Sequence, residues 1–215
     1  MDKVVRSTGE PLLPPLLQAG LLVLIAGYAD AIGFLRYDAF AGQMSGNTIL
    51  LGISVFEQTW ADTVHLLAVI GCFVLGLFVS AGLVRFGLVP ALVLTLAAVV
   101  VAVCAFIGRG WGGPLLALAM GMQSAAATRF GTAKLSTVFI TGDLQRLFEG
   151  LVAWFWPTPG VAAPSDLGPL ALVWLEYALG ALLGALANRV LPHALLLPAI
   201  VMPFVLLHRP RPRGV

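Results

Sequence analysis

Residues 12–34 read LLPPLLQAGLLVLIAGYADAIGF, an apolar run that carries a single charge, Asp30. About 20 apolar residues are enough to cross the hydrocarbon of a bilayer, so the run reads as a membrane helix with a carboxylate held at depth. The whole chain has the same character. Of its residues 60% are hydrophobic and 10% charged, and its mean hydropathy is +0.99. A soluble domain carries about a quarter charged residues. The composition therefore predicts an all-α, polytopic membrane bundle forming one domain over residues 1–215.

Eight apolar segments are expected, at about residues 12–34, 40–56, 63–84, 88–107, 111–127, 135–155, 167–186 and 191–207. Pro11, Pro14, Pro15, Pro90, Pro114, Pro169 and Pro192 suit helix entries, where a missing N–H is harmless. Lys3 and Arg6 before the first run resemble the start of a signal peptide. No small-x-small cleavage site precedes a mature domain, and Gly27-Tyr28-Ala29-Asp30 is built into the same run, so it is read as a retained first span.

Two segments are poor lipid-facing spans. One opens with Ala41-Gly42-Gln43-Met44-Ser45-Gly46-Asn47-Thr48, and the other contains Thr141-Gly142-Asp143, then Arg146 and Glu149. The two also correspond in register. Gly27 through Asp30 matches Gly121 through Ser124 at an offset of 94, and Ser45-Gly46-Asn47 matches Thr141-Gly142-Asp143 at 96. Gly76, Ser80 and Arg85 match Gly180, Gly184 and Arg189 at 104. Three landmarks in the same order indicate an internal duplication of four segments, at about 12–108 and 111–208.

Lys/Arg placement weighs two layouts. With all eight segments spanning, the two sides are nearly balanced, six against five. With segments two and six dipping in and returning, one side holds nine (Lys3, Arg6, Arg85, Arg129, Lys134, Arg146, Arg209, Arg211 and Arg213) against three (Arg36, Arg109 and Arg189). That second layout gives each half three crossings, hence an inverted repeat. Such repeats with broken helices are the usual build of transporters. The Ser45–Thr48 and Thr141–Asp143 stretches are the expected breaks, with Ser45 or Thr141 as N-cap, and the two are expected to meet in the bundle interior.

These residues also carry a family likeness. Gly27-Tyr28-Ala29-Asp30-Ala31-Ile32-Gly33-Phe34, Met44-Ser45-Gly46-Asn47-Thr48 with Gly52, Gly121-Met122-Gln123-Ser124-Ala125-Ala126 and Thr141-Gly142-Asp143-Leu144 resemble the YoaK family, a widespread bacterial group of small multispanning membrane proteins of unknown function. The likeness covers nearly the whole chain. It implies a bacterial inner-membrane protein, points toward transport, and brings no substrate with it. The chain departs from the family at Ser124, where Asn is common, and at Asp143, where a neutral residue is common.

The candidate substrate-binding residues are Asp30, Ser45, Asn47, Thr48, Gln123, Ser124, Thr141 and Asp143. A carboxylate inside an apolar helix costs about 2.5–3.5 kcal/mol on insertion scales, so Asp30 must be paired, hydrogen-bonded or protonated. It is either a substrate or proton site or a structural tie to the broken segment. Asp143 and Arg146 share a helix face and can pair. The small-xxx-small pairs Gly76/Ser80 and Gly180/Gly184 point to close helix packing. Arg85 and Arg189 end their helices and snorkel, and the five tryptophans mostly sit near segment ends, as an aromatic belt requires.

Other chemistry is weak. Net charge is +2, which gives no footprint for nucleic acid; the Arg209–Arg213 tail marks a cytoplasmic end. Cys72 and Cys104 lie inside apolar runs, and the three histidines are widely spaced, so neither a disulfide framework nor a metal site is expected. There is no GxSxG, HExxH or Walker loop, and no enzyme or cofactor is expected. The first functional expectation is a transporter or channel for a small polar solute or ion, in the lipid bilayer. The alternative is a non-transporting scaffold, sensor or accessory protein. Homo-oligomerisation is compatible with either, and an intramembrane enzyme ranks third.

Overall fold

In the computed structural model, residues 9–11, 13–126, 140–157, 167–206 and 208–210 are described. Eight helices follow one another among them: α1 Pro15–Tyr37, α2 Met44–Phe56, α3 Trp60–Arg85, α4 Pro90–Cys104, α5 Arg109–Ala126, α6 Ile140–Phe155, α7 Leu167–Val190 and α8 Leu196–Val205. Two three-residue strands, β1 Gly9–Pro11 and β2 His208–Pro210, pair antiparallel and bring the two ends of the described chain together. The fold is all-α, as composition predicts. Each of the eight expected segments corresponds to one helix, with ends within four residues for most of them, and Pro15 and Pro90 open α1 and α4.

Helices α1, α3 and α7 are long and apolar enough to cross a membrane, and α2, α4 and α8 are shorter apolar helices. Large apolar side chains cover their outer faces: Phe56, Phe78 and Phe86 are 87%, 78% and 86% exposed. In water such a surface would be an aggregation hazard; in lipid it is the expected exterior.

The interior is set by two close crossings of helices running in parallel, α1 with α7 and α3 with α5. In the first, a Cβ added at Gly27 would land on the Tyr177 carbonyl, and one at Gly180 on the Leu24 carbonyl. In the second, a Cβ at Gly121 would strike the Phe73 carbonyl and one at Gly76 the Leu118 carbonyl. Small residues let backbones touch, and van der Waals contact is the main adhesive between helices in lipid. The expectation for Gly76 and Gly180 holds. Gly27 and Gly121 are the other halves of the same contacts.

The C-terminus of α1 faces the N-termini of α3 and α5, so those helices run against α1. The Tyr37 ring fits over Gly112 and Gly113, its hydroxyl donates to the Cys104 carbonyl at 2.8 Å, and its own carbonyl meets His65 Nε2 at 2.9 Å. These bonds, together with Arg36 to Asn188 and to the Leu191 and Pro192 carbonyls, occupy groups left open at helix ends. Helix α4 packs on α5 and α8, α2 packs on α3, and α6 packs on α7.

Four expectations need correction. Ser45–Thr48 is not a break: it forms the first turns of α2, and the interruption lies at residues 38–43. Likewise α6 runs as a helix through Thr141, Gly142 and Asp143; residues 127–139 lie outside the described ones. Pro114 is inside α5 rather than at its entry, and Pro192 lies in the turn before α8.

Gly27→Leu or Gly121→Leu should abolish the folded species, read as loss of a monodisperse peak and of a cooperative melt in detergent. Gly71→Ala and Gly82→Ala, where nothing lies within 4 Å of the added carbon, should be neutral or stabilising by up to about 1 kcal/mol, the helix-propensity difference.

Candidate functional site

Helix α1 ends where Asp38 takes a left-handed conformation (φ 52°) and its N–H closes onto the Phe34 carbonyl. The chain then doubles back along α1. The Ala39 carbonyl and Ala41 N–H lie against Gly33, where a side chain would leave no room. The Phe40 ring stacks on Phe34, with centroids 4.9 Å apart, and covers Gly46. Helix α2 therefore starts beside Asp30, seven residues before the end of α1, and climbs back to the level it left. Asp38, Glu57 and Thr59 line one cavity of 240 Å³ with Asp62, His65 and Arg109. Arg109 bridges Asp38 and Asp62 at 2.8 and 3.3 Å.

Backbone folded back in this way has no helix or ladder to satisfy it, so side chains must. Asn47, fully buried, takes the Phe40 N–H on Oδ1 and donates from Nδ2 to the Phe40 carbonyl, both at 2.8 Å. Asp30, 3% exposed, accepts the Gly42 N–H at 2.6 Å and the Gln43 N–H at 3.3 Å on Oδ1. Its Oδ2 accepts the Tyr177 hydroxyl at 2.6 Å, and that hydroxyl accepts from Gln43 Nε2 at 3.2 Å. One carboxylate thus joins α1, the start of α2 and α7. It also sits at the positive end of α2, where a negative charge is favoured.

The other sequence-predicted residues are dispersed. Ser45 is exposed and is not the N-cap; Gln43 holds that position without a side-chain cap bond, because Asp30 supplies the acceptor from another helix. Thr48 is exposed and turns its hydroxyl back onto the Met44 carbonyl at 2.8 Å. Gln123 is fully buried, donates to the Leu22 carbonyl at 3.0 Å, and has no hydrogen-bond partner for Oε1 among the described residues. Ser124 is half-buried near the end of α5. Asp143 is buried and pairs with Arg146 at 3.3 Å, as the spacing predicts. The side chain of Thr141 lies outside the described residues.

The expected convergence of the two stretches is not what the packing gives. Helix α2 lies on α3 and α6 on α7, and no hydrogen bond among the described residues joins Asn47 to Asp143. The glycine-mediated crossings fill the interior and leave α2 and α6 at the flanks. Three residues of consequence were not singled out in the sequence as site candidates: Gln43, Tyr177 and Glu176. The half-buried Glu176 carboxylate lies against Gly20 of α1, and the reasoning that selects Asp30, a charge inside an apolar run, selects it too.

Residues 18–208 match the family model described as "Protein of unknown function (DUF1275)". The chain belongs to this family. It is similar to UPF0700 transmembrane protein YoaK of Bacillus subtilis (strain 168), 27% identical over 199 residues that cover 86% of this chain and 88% of the relative. No solved structure matches. Together with the apolar exterior, the similarity to a transmembrane protein makes this DUF1275 member a membrane protein.

Asn47→Ala strands both backbone groups of Phe40, at about 1–3 kcal/mol for each unsatisfied group. The midpoint of unfolding in a denaturing-detergent titration should fall clearly, whereas Ser45→Ala and Thr48→Ala should leave it within about 0.5 kcal/mol, as expected of exposed positions.

Proposed function

We propose that this DUF1275 member is a small-solute transporter or channel of the bacterial inner membrane, with its working centre where Asp30, Tyr177 and Gln43 meet the start of α2. In this reading α1, α3, α4, α5, α7 and α8 cross, while α2 and α6 enter and return on opposite sides. The paired chain ends support an even number of crossings. The side holding Arg36, Arg109 and Arg189 is the side poor in positive charge, hence the outside.

The two halves are read as an inverted duplication. Gly27 on Tyr177 and Gly121 on Phe73 are the same contact displaced by 94 and 104 residues, the offsets at which the sequence landmarks correspond. Helices α1 and α5, equivalent in this scheme, run in opposite directions, with Tyr37 at Gly112 and Leu22 at Gln123. The halves differ chemically. Asp30 and Tyr177 correspond to Ser124 and Phe73, so the carboxylate–hydroxyl pair occurs at the α1–α7 crossing and not at its counterpart between α3 and α5.

The observation that carries the proposal is the double attachment of Asp30. As a carboxylate it holds two N–H groups of a re-entrant segment and a hydroxyl of a crossing helix by charge-assisted bonds, stronger than neutral ones. Protonation, or a solute that competes for the same donors, weakens those bonds together and frees the start of α2 to move against α7. Without a nucleotide-binding motif, uphill transport would draw on an ion gradient. No catalytic step is needed.

A second reading, a non-transporting scaffold or sensor, is favoured by the fact that both oxygens of Asp30 are occupied within the protein. Asp30→Asn discriminates, because its amide oxygen can still accept from Gly42 and Gln43. In the transport reading the variant folds and inserts, and it loses the stabilisation that wild-type protein gains from a hit in a thermal-shift screen of small polar solutes. It also loses solute-driven proton movement in proteoliposomes. If no solute stabilises wild type and Asp30→Asn only prevents folding, the scaffold reading replaces it.

A further inference from the structure

Helix α8 touches α1 only locally, whereas its counterpart in the proposed duplication, α4, packs along α5. The difference leaves a groove of about 510 Å³ between α1, α7 and α8, lined by residues including Leu24, Ile25, Leu183, Ala187, Leu197 and Val201. That volume lies within the roughly 300–1,000 Å³ of small-molecule sites. On α7 the wall includes Ala187, with Leu183, Leu186 and Val190 beside it, and on α8 it includes Pro198. Tyr28 spans it, its hydroxyl turned away from the groove onto the Ala194 carbonyl at 2.8 Å, so the wall stays apolar.

One end of the groove is cationic. Val190 and Leu191 form that end, and the Arg36 guanidinium is fixed there by Asn188 and by the Pro192 and Leu191 carbonyls at 3.0 and 3.1 Å. A guanidinium has five N–H groups; three are engaged, and two remain for an outside acceptor. Arg189, the residue before Val190, is exposed at the same end. Among the described residues, no acidic side chain lines the groove.

An apolar channel open to the lipid with two guanidinium groups at its headgroup end is complementary in shape and charge to an anionic phospholipid. We propose that the groove binds an anionic phospholipid, one acyl chain along α1, α7 and α8 and its phosphate against Arg36 and Arg189. The site is independent of the transport reading, since neither Asp30 nor Tyr177 takes part. The lipid would brace α8 against α1 where direct helix contact is sparse.

The test uses the full-length protein and native mass spectrometry after exchange with phosphatidylglycerol or phosphatidylcholine of matched chains. Wild type should retain one phosphatidylglycerol with at least about tenfold preference over phosphatidylcholine and gain thermal stability from it. Arg189→Gln, at an exposed position, should reduce the preference severalfold while leaving the lipid-free melting temperature unchanged. Leu183→Trp, which fills the groove, should lower retention of both lipids. Equal retention of the two lipids by wild type, or an unaltered preference in Arg189→Gln, overturns the proposal. So does a lipid-free dimer that Leu183→Trp dissociates, which would make a second copy of this chain the occupant.

Discussion

A backbone N–H inside hydrocarbon has no water to bond, and leaving one unsatisfied costs several kcal/mol. Residues 38–43 fold back along α1 with no secondary structure of their own, and in the proposed re-entrant layout their place inside hydrocarbon depends on acceptors and donors sent from elsewhere. Asp30 accepts the N–H groups of Gly42 and Gln43, and Asn47 accepts the Phe40 N–H and donates its own to the Phe40 carbonyl. The expense of placing a carboxylate in an apolar helix is offset by what it organises. Remove that acceptor and α2 has no reason to begin where it does.

The other constraint is the closeness of the two parallel crossings. With glycine at Gly27, Gly180, Gly76 and Gly121, backbones meet directly, and α1 comes near enough to α7 for Tyr177 to reach Asp30. The polar centre and the glycine contacts are thus one arrangement. Bulk added at the glycines would move the hydroxyl away from the carboxylate as well as loosen the bundle.

Much of the fold was legible in the sequence because lipid imposes a simple rule: long apolar runs become helices, and small residues at four-residue spacing mark their contacts. Asp30 was legible for the converse reason, as the one charge in its run. Its partners were not. Tyr177 lies 147 positions away in a run where an aromatic residue is unremarked, and only the pairing of α1 with α7 brings it near. Ser45 and Thr48 were read as part of a break, with Ser45 as its N-cap, because a Ser-Gly-Asn-Thr stretch has the composition of a helix cap. Here the cap is supplied by another helix, so these side chains face outward. The convergence of Asn47 with Asp143 failed because pattern can suggest that two segments correspond without saying that they touch.

The central claim is that the chain between α1 and α3 enters and leaves on one side. Asp38→Cys and Glu57→Cys, each made in a background of Cys72→Ala and Cys104→Ala, bracket that segment. Labelling with a membrane-impermeant maleimide in sealed, oriented vesicles reads the side directly. The account predicts that both cysteines react from the same side, in keeping with the cavity that Asp38 and Glu57 share; reaction from opposite sides would make α2 a full crossing and contradict it.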